Sequence, residues 1–186
     1  KPYFSARPFI KAGMAIFLAL FCLSAPQSSL WVMALGFALS AAGDFFLDLP
    51  GESETYFTFG LAAFLLAHIA FAAYLAPFAS WNPLICASIG ALCVGFYLWL
   101  TPSLPKPLRI PIGLYSAVIA VMGMTAMTSA LPSAFILIGA ALFIASDIVL
   151  AVAKFKTAFT FHKPLNWGLY ASGQILLAIG VVGWTL

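Results

Sequence analysis

Apolar residues run through this chain in long unbroken stretches, separated by prolines and short polar turns. A helix needs about 20 such residues to cross the hydrocarbon core of a bilayer. Seven stretches qualify, at about 8–25, 29–49, 56–76, 82–101, 109–129, 132–153 and 165–186. Pro26, Pro50, Pro77, Pro102, Pro105, Pro132 and Pro164 fall at or between their ends, where a missing backbone N–H does least harm. The stretches do not alternate apolar with polar, which excludes the strands of a membrane β-barrel. The pattern predicts an all-α polytopic membrane bundle of seven transmembrane helices, forming one domain over residues 1–186.

Composition agrees. Of 186 residues, 64% are hydrophobic and 7% charged, against about 25% charged in a soluble domain, and the mean hydropathy is +1.10. The connecting segments are too short for a separate soluble domain. Cys22, Cys86 and Cys93 all lie in apolar runs and read as packing residues rather than disulfide partners or metal ligands. No motif points to nucleic acid. The N-terminal run ends in Leu23-Ser24-Ala25-Pro26 without an Ala-x-Ala site, so it reads as a retained helix rather than a cleaved signal.

The charges orient the bundle. Lys1, Arg7 and Lys11 precede or begin the first span, Lys106 and Arg109 join the fourth to the fifth, and Lys154, Lys156 and Lys163 join the sixth to the seventh. In a seven-span arrangement all eight basic residues share one side, which the positive-inside rule assigns to the cytoplasm. Bacterial inner membrane and endoplasmic reticulum both fit.

Against this background two carboxylates stand out. Asp44 and Asp147 lie inside apolar helices of a chain with only five acidic residues, and an ionisable group in lipid marks a functional site by default. Asp147 lies seven residues before Lys154, roughly 10 Å from the cytoplasmic end. Asp44, His68, Lys11, Tyr170 and Gln174 fall in the same half of the membrane, which suits a polar pocket opening toward the cytoplasmic leaflet. The segments Leu35–Leu47 and Ile138–Leu150 align with matching Gly, Leu, Asp and Leu. They suggest a parallel internal repeat with halves at about 8–76 and 109–186, linked by the helix at 82–101. That linking span has no counterpart, which leads to the expectation of a further helix before residue 1.

Each polar residue also has a structural reading. Asp44 and Asp147 could form ion pairs or reach water. Asp48, beside Pro50 and near Glu52 and Glu54, is expected to be mainly solvated, with a substrate contact as the alternative. His68 is either a satisfied buried histidine or a partner for a carboxylate or substrate. Lys11 either snorkels to the head groups or binds substrate. Tyr170 and Gln174 serve as interhelical glue or hold substrate. For Ser146 and Asn166 the glue reading leads, and His162 reads as a surface loop residue. No zinc-type Cys/His spacing occurs, so no metal or other cofactor is expected, although an Asp/Asp/His ion site stays open.

Gly43-Asp44-x-x-Leu47, Gly60-Leu61-x-Ala63-Phe64-x-x-Ala67-His68, Phe143-x-x-Ser146-Asp147 and Tyr170-x-x-x-Gln174, in that order, resemble the YhhN-like lysoplasmalogenase family over nearly the whole chain. Lys11 resembles a lysine that the family often carries early, although there Pro commonly follows and here Ala12 does. Members usually have eight helices. The resemblance implies hydrolysis of the vinyl ether bond of lysoplasmalogens, giving a fatty aldehyde and glycerophosphoethanolamine or glycerophosphocholine. The substrate partner would then be a lysophospholipid drawn from the surrounding membrane lipids, with its single chain between apolar helix walls.

That chemistry needs an acid that protonates carbon and an anion that stabilises the resulting oxocarbenium ion. One neutral and one ionised carboxyl group in a shared low-dielectric site meet both needs. Asp147, the deeper, is expected to be the acid and Asp44 the ionised partner, with the swapped roles as the alternative, and His68 is expected to orient a carboxylate or assist collapse of the hemiacetal. Tyr170, Gln174, Asp48, Asn166 and Ser146 are candidate contacts for the glycerol or water, and Lys11 for the phosphate. Two other classes compete: a proton-coupled transporter or lipid-binding membrane protein, and a metal-dependent lipid amidase or esterase. Against transport, no polar path continues to the outer half, and no Pro/Gly-broken helix lies at the midplane. Oligomeric state is not legible.

Overall fold

The computed structural model describes residues 6–50 and 53–183. Lys1, Glu52 and the last three residues of the seventh predicted span lie outside them. Among the described residues, seven helices are long and apolar enough to cross a membrane. They are α1 (Arg7–Ser24), α2 (Trp31–Leu47), α3 (Glu54–Leu75), α4 (Pro83–Leu100), α5 (Arg109–Met127), α6 (Ala134–Phe155) and α7 (His162–Gly183). Each expected span is present, with ends displaced by a few residues.

Local chemistry sets these ends. Asn82 caps α4, its Oδ1 accepting from the backbone N–H groups of Leu84 and Ile85, and Pro83 follows at the first helical position, where its fixed φ suits the helix. α7 starts at His162, ahead of Pro164, because a proline in the first turn sacrifices no intrahelical bond. His162 is therefore part of a helix rather than a surface loop, correcting the sequence-based expectation. Its Nδ1 donates to the Phe159 carbonyl at 2.5 Å.

Six helices close into a ring: α1 packs on α2, α2 on α3, α3 on α5, α5 on α6, α6 on α7, and α7 on α1. α4 packs chiefly against the outside of α5. Its one buried residue is Leu100, and its outward face is left exposed. Inside the ring, Phe37, Phe71, Phe143, Met33 and Leu177 are fully buried. The ring is drawn tight where α6 meets α7. A Cβ at Gly173 would lie 2.7 Å from the Phe143 backbone nitrogen, and one at Gly139 2.8 Å from the Gly173 carbonyl oxygen. Small residues permit such approach in membranes, where packing rather than water exclusion drives association. At the end opposite the basic residues, the α3–α4 and α5–α6 connections are tied by Ser80 N–H to Thr128 O and Ala130 N–H to Phe78 O, both 2.7 Å.

Candidate active site

α2 and α6 both run toward the basic end of the bundle, and each brings one carboxylate near it. Asp44 lies three residues before the end of α2 and Asp147 eight before the end of α6. Asp44 is 6% exposed, and the Asp147 side chain is 12% exposed. Each accepts a hydrogen bond from a tyrosine on another helix. Tyr170 of α7 donates to Asp44 Oδ2 at 2.5 Å, and Tyr115 of α5 donates to Asp147 Oδ2 at 3.0 Å.

His68 of α3 is fully buried beside Asp147. Its Nδ1 lies 2.8 Å from the Phe64 carbonyl oxygen. A carbonyl only accepts, so this nitrogen carries a proton. Nε2 then faces Asp147 Oδ2 at 3.3 Å, within ion-pair distance but short of an aligned hydrogen bond. Phe64 stands edge-on to Tyr170 at 5.8 Å between ring centres. Its place is fixed by α2, because a Cβ at Gly43 would lie 2.5 Å from the Phe64 ring.

A cavity of about 450 Å³ opens at the basic end of the ring, and both Asp44 and Asp147 line it. Lys11, Asp48, Ser146, Asn166, Tyr170 and His162 also line it. Several of these side chains are already engaged. Asp48 Oδ2 lies 3.0 Å from Lys11 Nζ and 3.2 Å from Arg7 Nε. Its side chain is 12% exposed, so Asp48 is a mostly buried partner of two cations and not the solvated residue expected. Lys11 also lies 5.4 Å from the centre of the Trp167 ring, so it points inward rather than away to head groups. The Ser146 hydroxyl donates to the Phe143 carbonyl, and the Asn166 amide donates to the Ser146 carbonyl, both at 2.7 Å. These two residues join α6 to α7 at the cavity wall. Lys154 and Lys163 line the rim without a carboxylate partner among the described residues.

Below the Asp44–Tyr170 pair lies a second polar layer. Ser40 is one helical turn before Asp44 and Gln174 one turn after Tyr170, and α2 and α7 run in opposite directions. Both residues are fully buried. The Gln174 amide approaches the Tyr170 hydroxyl. Even so, neither of its polar atoms, nor Ser40 Oγ, completes a hydrogen bond of good geometry among the described residues.

Asp44, Asp147, His68, Lys11, Tyr170, Asp48, Asn166 and Ser146 thus gather around one polar end of the bundle, with Gln174 just beneath. Tyr115 and Ser40 join them without having been marked in the sequence. Tyr115 has the signal that singled out Tyr170, a hydroxyl in the basic half of an apolar helix, but sits among many other aromatics. Among the described residues, no group of three or more His, Cys, Asp or Glu side chains converges as a metal site.

A model of the YhhN family matches residues 6–181. A Mycobacterium bovis protein named lysoplasmalogenase is 33% identical over 183 residues, covering 94% of this chain and 69% of its own. The human protein named lysoplasmalogenase TMEM86A is 30% identical over 161 residues, covering 80% of this chain and 64% of its own. Rat lysoplasmalogenase TMEM86B is 26% identical over 171 residues, covering 91% and 69% respectively. No solved structure matches the chain. With two carboxylates at the polar end of a seven-helix membrane bundle and a family match over nearly its full length, the chain belongs to the YhhN family.

Proposed function

We propose that the chain is a lysoplasmalogenase, a membrane hydrolase that cleaves the vinyl ether bond of lysoplasmalogens to a fatty aldehyde and glycerophosphoethanolamine or glycerophosphocholine. The observation that carries this reading is that Asp44 and Asp147 line one cavity, each held by a tyrosine and one backed by a buried histidine.

Asp147 is the acid. His68, anchored through Nδ1 to the Phe64 carbonyl, and Tyr115 orient its carboxyl group. In its protonated form Asp147 transfers a proton to the alkenyl carbon one removed from the ether-bearing carbon. The double-bond electrons form the new C–H bond, leaving an oxocarbenium ion. Asp44, oriented by Tyr170, stabilises that cation from across the cavity. Water near Asp44 adds to the cationic carbon and surrenders a proton that returns to the Asp147 carboxylate, restoring the acid. The hemiacetal then breaks its bond to the glycerol oxygen. One water is consumed, and an aldehyde and an alcohol are released. Lys11, Lys154 and Lys163 attract the phosphate as point charges.

By the positive-inside rule the basic end, and with it the cavity, faces the cytoplasm. A cysteine placed at the exposed Thr157 should react with an impermeant maleimide only after cells are opened. Reaction in intact cells would reverse the orientation.

The activity is tested by aldehyde release from lysoplasmenylethanolamine with purified protein, comparing the parent with Asp44→Asn and Asp147→Asn. Loss of general acid catalysis is worth about 10²–10⁴-fold, and both variants should fall at least that far while folded. If both keep most activity, the two-carboxylate mechanism is wrong.

A further inference from the structure

Asp147 and Tyr115 border a second space, distinct from the polar cavity. An apolar groove of about 330 Å³ runs between α4, α5 and α6, within the range of ordinary ligand pockets. It follows α5 from Ile112 to Met127, and the stretch beyond Tyr115 runs about 18 Å at 1.5 Å per residue. That is close to half the ~30 Å hydrocarbon core, the depth one leaflet's acyl chains occupy. Its outer wall is α4, the helix that lies outside the ring. The groove passes the carboxylate proposed as the acid, with Leu100, Ile112 and Ala151 lining it about one turn nearer the basic end, and its longer arm leads away from that end. A single-chain lipid with its phosphate in the polar cavity would therefore point its chain down the groove, in the direction it already has in a bilayer.

We propose that this groove is the alkenyl-chain site and that Gly123 gauges the length of chain it admits. This inference rests on the lysoplasmalogenase reading for its occupant. Gly123 lies on α5 about 12 Å beyond Tyr115. A Cβ there would be 3.1 Å from Ile144 Cδ1 of α6 and 3.7 Å from Ile89 Cγ2 of α4. Three helices converge at this point, and the absence of a side chain on α5 keeps the passage open.

The test compares chains shorter and longer than about 12 Å on the parent, Gly123→Leu and Ile144→Ala. Gly95→Leu is the control, because Gly95 lies on α4 with nothing within 4 Å of a Cβ placed there. Gly123→Leu should raise KM for the long chain about tenfold or more and leave the short chain unchanged. Ile144→Ala should favour longer chains, and Gly95→Leu should alter neither. Equal effects on both chain lengths in Gly123→Leu, or no effect, overturn the gauge. A second readout does not need turnover: a lysophospholipid with a photoreactive group at its chain end, mapped by mass spectrometry. Adducts at Ile89 or the buried Ala140, lost in Gly123→Leu, support the groove even if no aldehyde is released. Adducts spread over lipid-facing residues such as Leu84 and Leu98 overturn it. A parent that binds in the groove but releases no aldehyde defeats the activity reading alone.

Discussion

The His68 ring of α3 is anchored on one side and turned toward the Asp147 carboxylate on the other. Nδ1 of the ring donates to the Phe64 carbonyl at 2.8 Å, and Nε2 stands 3.3 Å from Asp147 Oδ2. The anchored ring thus positions the carboxylate, and a small misplacement of a catalytic group costs about 10²-fold in rate. His68→Ala should therefore lower kcat by about 10²-fold with KM within twofold. Aldehyde release from purified protein measures this, and a variant retaining half the parental kcat would remove His68 from the positioning of Asp147.

The two tyrosines support different carboxylates and should be separable. Tyr115→Phe and Tyr170→Phe each remove one hydroxyl and keep the ring. Hydrogen bonds between membrane helices contribute on average about 0.6 kcal/mol, so thermal stability should change little in either variant. Each kcat should fall roughly tenfold or more, because a carboxylate loses its orienting donor. A variant that unfolds before it loses turnover would make that tyrosine structural.

Lys154 and Lys163 are exposed and lack a carboxylate partner among the described residues. Exposed charge contacts contribute about 0.2–1 kcal/mol each. Lys154→Gln/Lys163→Gln should raise KM for a phosphate-bearing substrate about two- to thirtyfold, with kcat retained. Added salt should raise the parent's KM and affect the double variant less. A KM that ignores both salt and substitution would place the phosphate elsewhere.

Where α6 crosses α7, the backbones themselves touch. A Cβ at Gly173 would lie 2.7 Å from the Phe143 nitrogen, and backbone yields less readily than a flexible side chain. Gly173→Ala should cost about 1–3 kcal/mol, and Gly173→Leu should not assemble. Thermal unfolding in detergent provides the comparison, with Gly168→Ala as the reference because nothing lies within 4 Å of a Cβ there.

The helices and both carboxylates were legible for simple reasons. Long apolar runs have few alternatives in lipid, and five acidic residues in 186 leave little background against which Asp44 and Asp147 could hide. Tyr115 was not legible, because a chain that is 16% aromatic gives a lone tyrosine no contrast. His162 reads as a loop residue because Pro164 resembles a boundary, whereas the first turn of a helix accepts a proline. Asp48 reads as solvated because its pairing with Arg7 and Lys11 joins two helices that local pattern does not connect. The position of α4 outside the ring was equally hidden, since helix order in a bundle is set by contacts between distant faces. The Ser40–Gln174 layer depends on the antiparallel register of α2 and α7, which sequence spacing on one helix does not contain.

Asp147 borders both the polar cavity at the basic end and the apolar groove beside α4. A molecule cut at that boundary yields fragments that belong to different solvents. The glycerophosphodiester can diffuse into water past the lysines, while the aldehyde can pass sideways into lipid beside α4. Neither product has to retrace the path of the other. Partition between the two phases thus clears the site of both fragments at once.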